Sequence, residues 1–179
     1  MLSDGVSQLF LDFSLHGEEG KDKQKVQGLT AKQRKARYTG DHEGQAVKER
    51  VDEYLMKKTD KAIDMVKYAI KRGVRFNYLL VDSWFTNTKL VRFISSRHVN
   101  CHLLGMIKLG KTNYSTKHGS MNAKQIIKHL HKEKACKHNK MLRCTYCTMD
   151  VKLDGVPVRL FFCKRGRNGN WNGLLTTDL

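Results

Sequence analysis

The apolar run Tyr78-Leu79-Leu80-Val81 stops at a carboxylate, Asp82. An aspartate at the C-terminal end of a buried strand faces the crevice where α/β sheets place their chemistry, and a metal-binding carboxylate belongs there. The same residue also suits a turn that caps the next helix, which is the commoner use of Asp at such a place. A second constellation follows at 164–173, where Lys164, Arg165 and Arg167 share a glycine-rich turn with Trp171. Cations of that kind bind phosphates, and an indole offers a face on which a base can stack. The plainer reading is a solvated hairpin with Trp171 folded onto the core. Lys108 and Lys111, after the next apolar run, are placed to line the same groove, whereas Trp84 beside Asp82 is expected to pack inside. Cys144 and Cys147 have CxxC spacing, with Cys136, Cys163, His131 and His138 nearby. On one strand, residues three apart face opposite ways, which opposes a shared zinc site and favours ordinary reduced thiols.

The elements that must position these groups follow from the spacing of apolar residues. Residues 6–15 read as a strand entered from a hairpin at Asp4-Gly5, and 17–45 as a charged, glycine-bearing excursion with a basic block at 32–37. Val47, Val51, Leu55, Ala62, Val66 and Ile70 recur at three- and four-residue spacing, which predicts an amphipathic helix over 45–72 stopped by Gly73. Residues 76–81 then suit a strand buried on both faces. Thr86 is placed to cap a helix with Leu90, Phe93 and Ile94 inward, and 101–109 forms the next strand, so a parallel pair is expected. A polar loop to Ser120 precedes a helix over 122–134 carrying Ile126, Ile127 and Leu130. Strands at 141–150 and 156–163 meet in a hairpin at Asp154-Gly155, and 174–177 begins one more.

The chain has 179 residues, 40% of them apolar, enough for a packed core. Thirty-four Lys and Arg face seventeen Asp and Glu, a formal net charge of +17. Such an excess favours a polyanionic partner over a small neutral substrate. Neither a membrane span nor a secretion signal is legible, so a cytoplasmic protein without a membrane partner is expected. The five cysteines lie in the C-terminal half and make an odd count, in keeping with a reducing compartment.

The run from Leu79 to Phe85, then Leu103-Leu104-Gly105-Met106-Ile107-Lys108, Val158 to Lys164, Gly169-Asn170-Trp171 and Leu174-Leu175-Thr176-Thr177-Asp178 resembles DDE-type transposases of the insertion-sequence-four family. Leu2-Ser3-Asp4-Gly5 and Leu11 to His16 resemble the same family just after its first catalytic strand. The resemblance covers essentially the whole chain. It implies a ribonuclease-H-like α/β fold, a mixed sheet flanked by helices with a β-rich insertion, divided here as a partial core over 1–111 and an insertion region over 112–179. It also implies DNA cleavage and strand transfer, with two aspartates and a glutamate holding two Mg²⁺ or Mn²⁺ ions. Asp82 matches the second aspartate and is the expected catalytic and metal residue. The first aspartate and the glutamate would fall before Met1 and after Leu179, so the chain is expected to be incomplete at both ends, inactive by itself and without tightly bound metal. Asp12 and Asp178 match structural positions. The expected partners are transposon ends and target DNA, with a possible homo-oligomer for the intact protein, and a non-catalytic DNA-binding or interaction module derived from a transposase is the alternative.

Overall fold

The computed structural model describes residues 1–12, 14, 56–166 and 168–179, in two compact units, Met1–Val74 and Arg75–Leu179. The first unit contains a minimal hairpin of β1 (Leu2–Ser3) and β2 (Gln8–Leu9), whose turn is fixed by Asp4 Oδ1 accepting the N–H groups of Val6 and Ser7 at 2.9 and 2.6 Å. It also contains α1 (Lys58–Lys71). Gly73, at φ +81°, ends that helix where a side chain would be strained, as its place in the sequence predicts. The earlier half of the expected 45–72 helix and the basic excursion lie outside the described residues.

The second unit is built on a mixed sheet. Its strands are β3 (Tyr78–Val81), β4 (His102–Ile107), β5 (Asn113–Thr116), β6 (Gly119–Asn122), β7 (Lys137–Asn139), β8 (Cys144–Leu153), β9 (Val156–Arg165) and β10 (Asn172–Thr176). The order across it is β3-β4-β10-β9-β8-β5-β6, with β7 also on β8. Strands β3 and β4 are parallel, as expected of a strand-helix-strand unit, and the other pairings are antiparallel. Because β10 lies between β4 and β9, strands from both sides of the expected division at 111 and 112 share one sheet.

Two helices belong to this unit, α2 (Thr88–Ile94) against β4 and α3 (Ala123–Lys132) against β6 and β8. The cap of α2 is Asn87 rather than Thr86: Asn87 Oδ1 accepts the N–H of Leu90 at 3.0 Å, while the Thr86 hydroxyl is spent on the carbonyl of Asp82. Its buried residues are Leu90, Val91 and Ile94, whereas Phe93, expected inward, is only half-buried. The helix α3 starts in a reciprocal capping box between Asn122 and Gln125, which satisfies two otherwise orphaned N–H groups. The segment expected to be a polar loop before Ser120 is instead the β5–β6 hairpin, which buries only Tyr114.

Alternation along the strands sorts the sheet into two faces. Leu103, Leu175, Leu160, Phe162, Val158 and Cys147 share one face and are buried, and no described polar or charged side chain joins them. On the other face Tyr78 and Leu80 are 46% and 69% exposed. Strand β3 is therefore not buried on both faces as its apolar run suggested: it is the edge of the described sheet, with β4 as its one neighbour. Asp154 and Gly155, at φ +53° and +83°, form the expected two-residue turn between β8 and β9, whose twist suits a hairpin.

The face assignment is testable with two adjacent residues. Phe162 is fully buried, while Phe161 points to the opposite face and stacks on Tyr146 with centroids 5.8 Å apart. Phe162→Ala is expected to cost about 3–5 kcal/mol in urea unfolding and Phe161→Ala clearly less. Equal losses would show that the core is assigned to the wrong face.

Candidate nucleic-acid interface

Asp82 follows β3 directly, and the loop after it is tied to it. Its Oδ1 accepts the N–H of Trp84 at 2.8 Å, and its carbonyl accepts the N–H groups of Phe85 and Thr86 at 3.2 Å each and the Thr86 hydroxyl at 3.0 Å. The aspartate thus forms a turn, as the plainer sequence reading holds, and its side chain is nonetheless exposed. The loop can lie close to the sheet because β4 carries Gly105 at that level, paired with Val81. A Cβ on Gly105 would collide with the Thr86 side chain and stand 3.0 Å from Val81 Cγ2.

Register carries one end of the sheet from Asp82 across five strands. Val81 pairs with Gly105, Ile107 with Gly173, Asn172 with Cys163, and Arg165 with Cys144. The C-terminal ends of β3, β4 and β9 and the N-terminal ends of β10 and β8 therefore share one rim. Along it stand Asp82, Lys108, Lys164, Arg165 and Trp171, all expected from sequence, and exposed Lys111 lies in the turn from β4 to β5. Arg167 lies outside the described residues.

Both indoles on this rim lie beneath ammonium groups: Lys164 Nζ is 5.3 Å from the Trp171 ring centre and Lys108 Nζ 4.3 Å from that of Trp84. Trp84 was expected inside but is 66% exposed, because the turn at Asp82 directs the chain off the sheet. Trp171 is half-buried. Lys140 and Arg143, in the turn entering β8, reach the same end and were missed in the sequence. The lysine-rich approach to β8 was their only signal.

Residues 75–179 hold nineteen Lys and Arg against five acidic residues. Four of the five have side-chain partners. Asp150 pairs with Arg159 by two hydrogen bonds of 2.6 and 2.9 Å, which hold its carboxyl below the usual range. Asp154 pairs with Arg92, Glu133 lies 3.2 Å from His129, and Asp178 accepts the Tyr78 hydroxyl at 2.5 Å, raising that phenol. Asp82 takes its one described side-chain hydrogen bond from the backbone N–H of Trp84, on Oδ1.

The two-ion chemistry implied by the resemblance needs several carboxylates converging on ions about 4 Å apart. Asp178 sits beside Tyr78, at the opposite end of β3 from Asp82. No described trio of metal-ligating side chains includes Asp82. Cys144 and Cys147, three apart on one strand, face opposite sides of β8, and no described cluster of three ligating side chains contains a thiol. Burial, aided by a hydrogen bond with Cys136, pushes the Cys147 thiol up to about 12.

The fit of the Asp82 loop over Gly105 predicts that Gly105→Ala destabilises the chain by about 1–3 kcal/mol in urea unfolding. Gly110→Ala, with open space around its Cβ, is the control and is expected to change little. If both variants behave alike, the loop does not rest on β4 as described.

No family model, curated protein or solved structure matches the chain.

Proposed function

We propose that the chain is part of the catalytic domain of a DDE-type DNA transposase resembling the insertion-sequence-four family, and that it engages DNA through the rim bearing Asp82. The carrying observation is the coincidence of an exposed carboxylate at the end of β3 with Lys108, Lys164, Arg165, Trp84 and Trp171 on the same sheet end. The parallel β3–α2–β4 unit and its antiparallel extension are consistent with a ribonuclease-H-like core carrying a β-rich insertion. In this reading the cations bind phosphates, which gives affinity without base information, and the indoles offer stacking faces to unpaired bases. Asp82 would be one of the carboxylates that take Mg²⁺ or Mn²⁺, the ions supplying activation of the attacking oxygen in the intact protein. The alternative is a non-catalytic DNA-binding or interaction module derived from a transposase, which would use the same cations and indoles without the ions.

The test begins with binding of the 179-residue chain to duplex DNA, followed by fluorescence anisotropy across a salt series. Affinity should fall steeply with salt, and Lys108→Ala or Lys164→Ala should each flatten the logarithmic slope by about 1. Asp82→Asn should not weaken binding, and no Mg²⁺-dependent nicking is expected from the chain alone. Slopes unchanged by both lysine variants would refute the rim as the interface. Nicking that Asp82→Asn abolishes would refute the predicted inactivity and require ligands beyond those described.

The exposed indole gives a second measurement. Trp84→Ala should weaken binding to DNA with unpaired terminal bases by about 1–3 kcal/mol more than to intact duplex, with little change in Tm. Trp171→Ala, half-buried beneath Lys164, should lower both. Identical losses on both DNAs for both variants would remove stacking from the account.

A further inference from the structure

At the edge of the sheet remote from Asp82, the β5–β6 hairpin and the end of α3 bring three metal-ligating side chains together. The turn of the hairpin is fixed by Thr116, whose hydroxyl donates to the carbonyl of Gly119 at 2.8 Å and accepts the N–H of His118 at 3.0 Å. Gly119, at φ +103°, takes a conformation that a side chain would resist. From Asn122 the chain reverses into α3, and the lengths match. Four strand residues back from Asn122 to His118 span about 13 Å, and seven helical residues on to His129 span about 10 Å. The end of the helix therefore returns to the hairpin turn, and the rings of His118 and His129 lie with centroids 4.4 Å apart. One helical turn on, Glu133 brings its Oε1 to 3.2 Å from His129 Nε2.

Three features of this cluster point to a cation. Ligand atoms of His118, His129 and Glu133 all lie within 4.8 Å of one another. His129 Nε2 is shut off from solvent and, although near Glu133, makes no aligned hydrogen bond among the described residues. If His129 Nε2 carries no proton, an ion between it and the Glu133 carboxylate would satisfy both. Glu133 is also the C-cap of α3, where the helix dipole is negative and an uncompensated carboxylate is unfavourable. Ligands bonded to Zn²⁺ at about 2.0–2.2 Å in tetrahedral array stand roughly 3.3 Å from each other. The His129–Glu133 pair already has that separation, and exposed His118 can close the remainder by rotation.

We propose that His118, His129 and Glu133 hold a divalent ion of the zinc class, with the fourth position taken by water. Two imidazoles and one carboxylate suit Zn²⁺ and exclude Mg²⁺, which prefers oxygen ligands and keeps its waters. The ion ties the hairpin to the helix. This site is independent of the DNA-binding reading and shares no residue with the rim.

The full chain, reduced and stripped with chelator, is titrated with Zn²⁺ against a chromophoric competitor, and with Co²⁺ by absorption spectroscopy. The expected result is one tight site per chain, a visible Co²⁺ spectrum of nitrogen and oxygen ligation without thiolate charge transfer, and no competition from Mg²⁺. His118→Ala and Glu133→Gln, both at exposed positions, should each weaken Zn²⁺ by about tenfold or more while the metal-free variants keep the wild-type Tm. Zn²⁺ should raise the Tm of the wild type but not of His118→Ala. A thiolate band, affinity unchanged in both variants, or no stoichiometric binding would each overturn the proposal.

Discussion

Strand β10 is hydrogen-bonded on both sides, and the sheet of the second unit exists as one body because of it. Gly173, Leu174 and Leu175 pair with Ile107, Met106 and Gly105 on one side and with Phe162, Phe161 and Leu160 on the other. Without those ladders the parallel β3–β4 pair would be separate from the long β8–β9 hairpin. The fit depends on Gly173, where a Cβ would stand 2.7 Å from Ile107 Cγ1, so a side chain there would push β4 and β10 apart. The register set by β10 then fixes which residues meet at the strand ends. Asp82 and Lys164, more than eighty positions apart in the chain, share a rim for this reason alone.

Much of this was legible because it is local. A two-residue hairpin at Asp154-Gly155 needs left-handed backbone, and only residues such as Asp and Gly give it cheaply. An apolar run ending in Asp82 predicts a strand end, and Asn122 with Gln125 three residues later marks a helix start. What escaped the sequence is set by neighbours. The β5–β6 hairpin is polar on nearly every position, so its alternation carries one buried residue, Tyr114, and reads as loop. Whether β3 is central or at an edge depends on which strands lie beside it, which an apolar tetrapeptide cannot say. Trp84 has the composition of a core residue, but a hydrogen bond from its own N–H to Asp82 turns it outward. His118, His129 and Glu133 follow no metal motif because the helix reversal at Asn122, not sequence spacing, brings them together.

The charge of the second unit follows from its core. Since no described polar or charged side chain is buried, every described cation reaches the surface. Pairing then removes much of the negative charge from long-range play: Arg159 takes Asp150 and Arg92 takes Asp154. Exposed pairs of this kind contribute little to stability, typically below about 1 kcal/mol, but they leave the unpartnered lysines and arginines to set the field. The exposed cations gathered on the strand-end rim, Lys108 and Arg165 among them, contribute to that field. Screening confines it to about 8 Å at physiological ionic strength, so a polyanion must approach the rim closely to feel it.

The same length scale separates the two candidate sites. Strands β4, β10, β9 and β8 stand between β3 and β5, so Asp82 and the His118 hairpin are separated across the sheet by about 24 Å at the usual strand spacing of about 4.8 Å, with a further offset along the strands. That is some three screening lengths, and a divalent ion at the hairpin adds almost nothing to the potential felt at Asp82. Any influence of one site on the other must therefore be mechanical. The path is short, because α3 rests on β8 and β5 pairs with β8 at Lys152, while the other end of β8, at Cys144, borders the rim. A close-packed strand of ten residues transmits a shift as a rigid element rather than absorbing it. Locking α3 to its hairpin would therefore restrict β8 as a whole, and with it the turn that carries Lys140 and Arg143 to the rim.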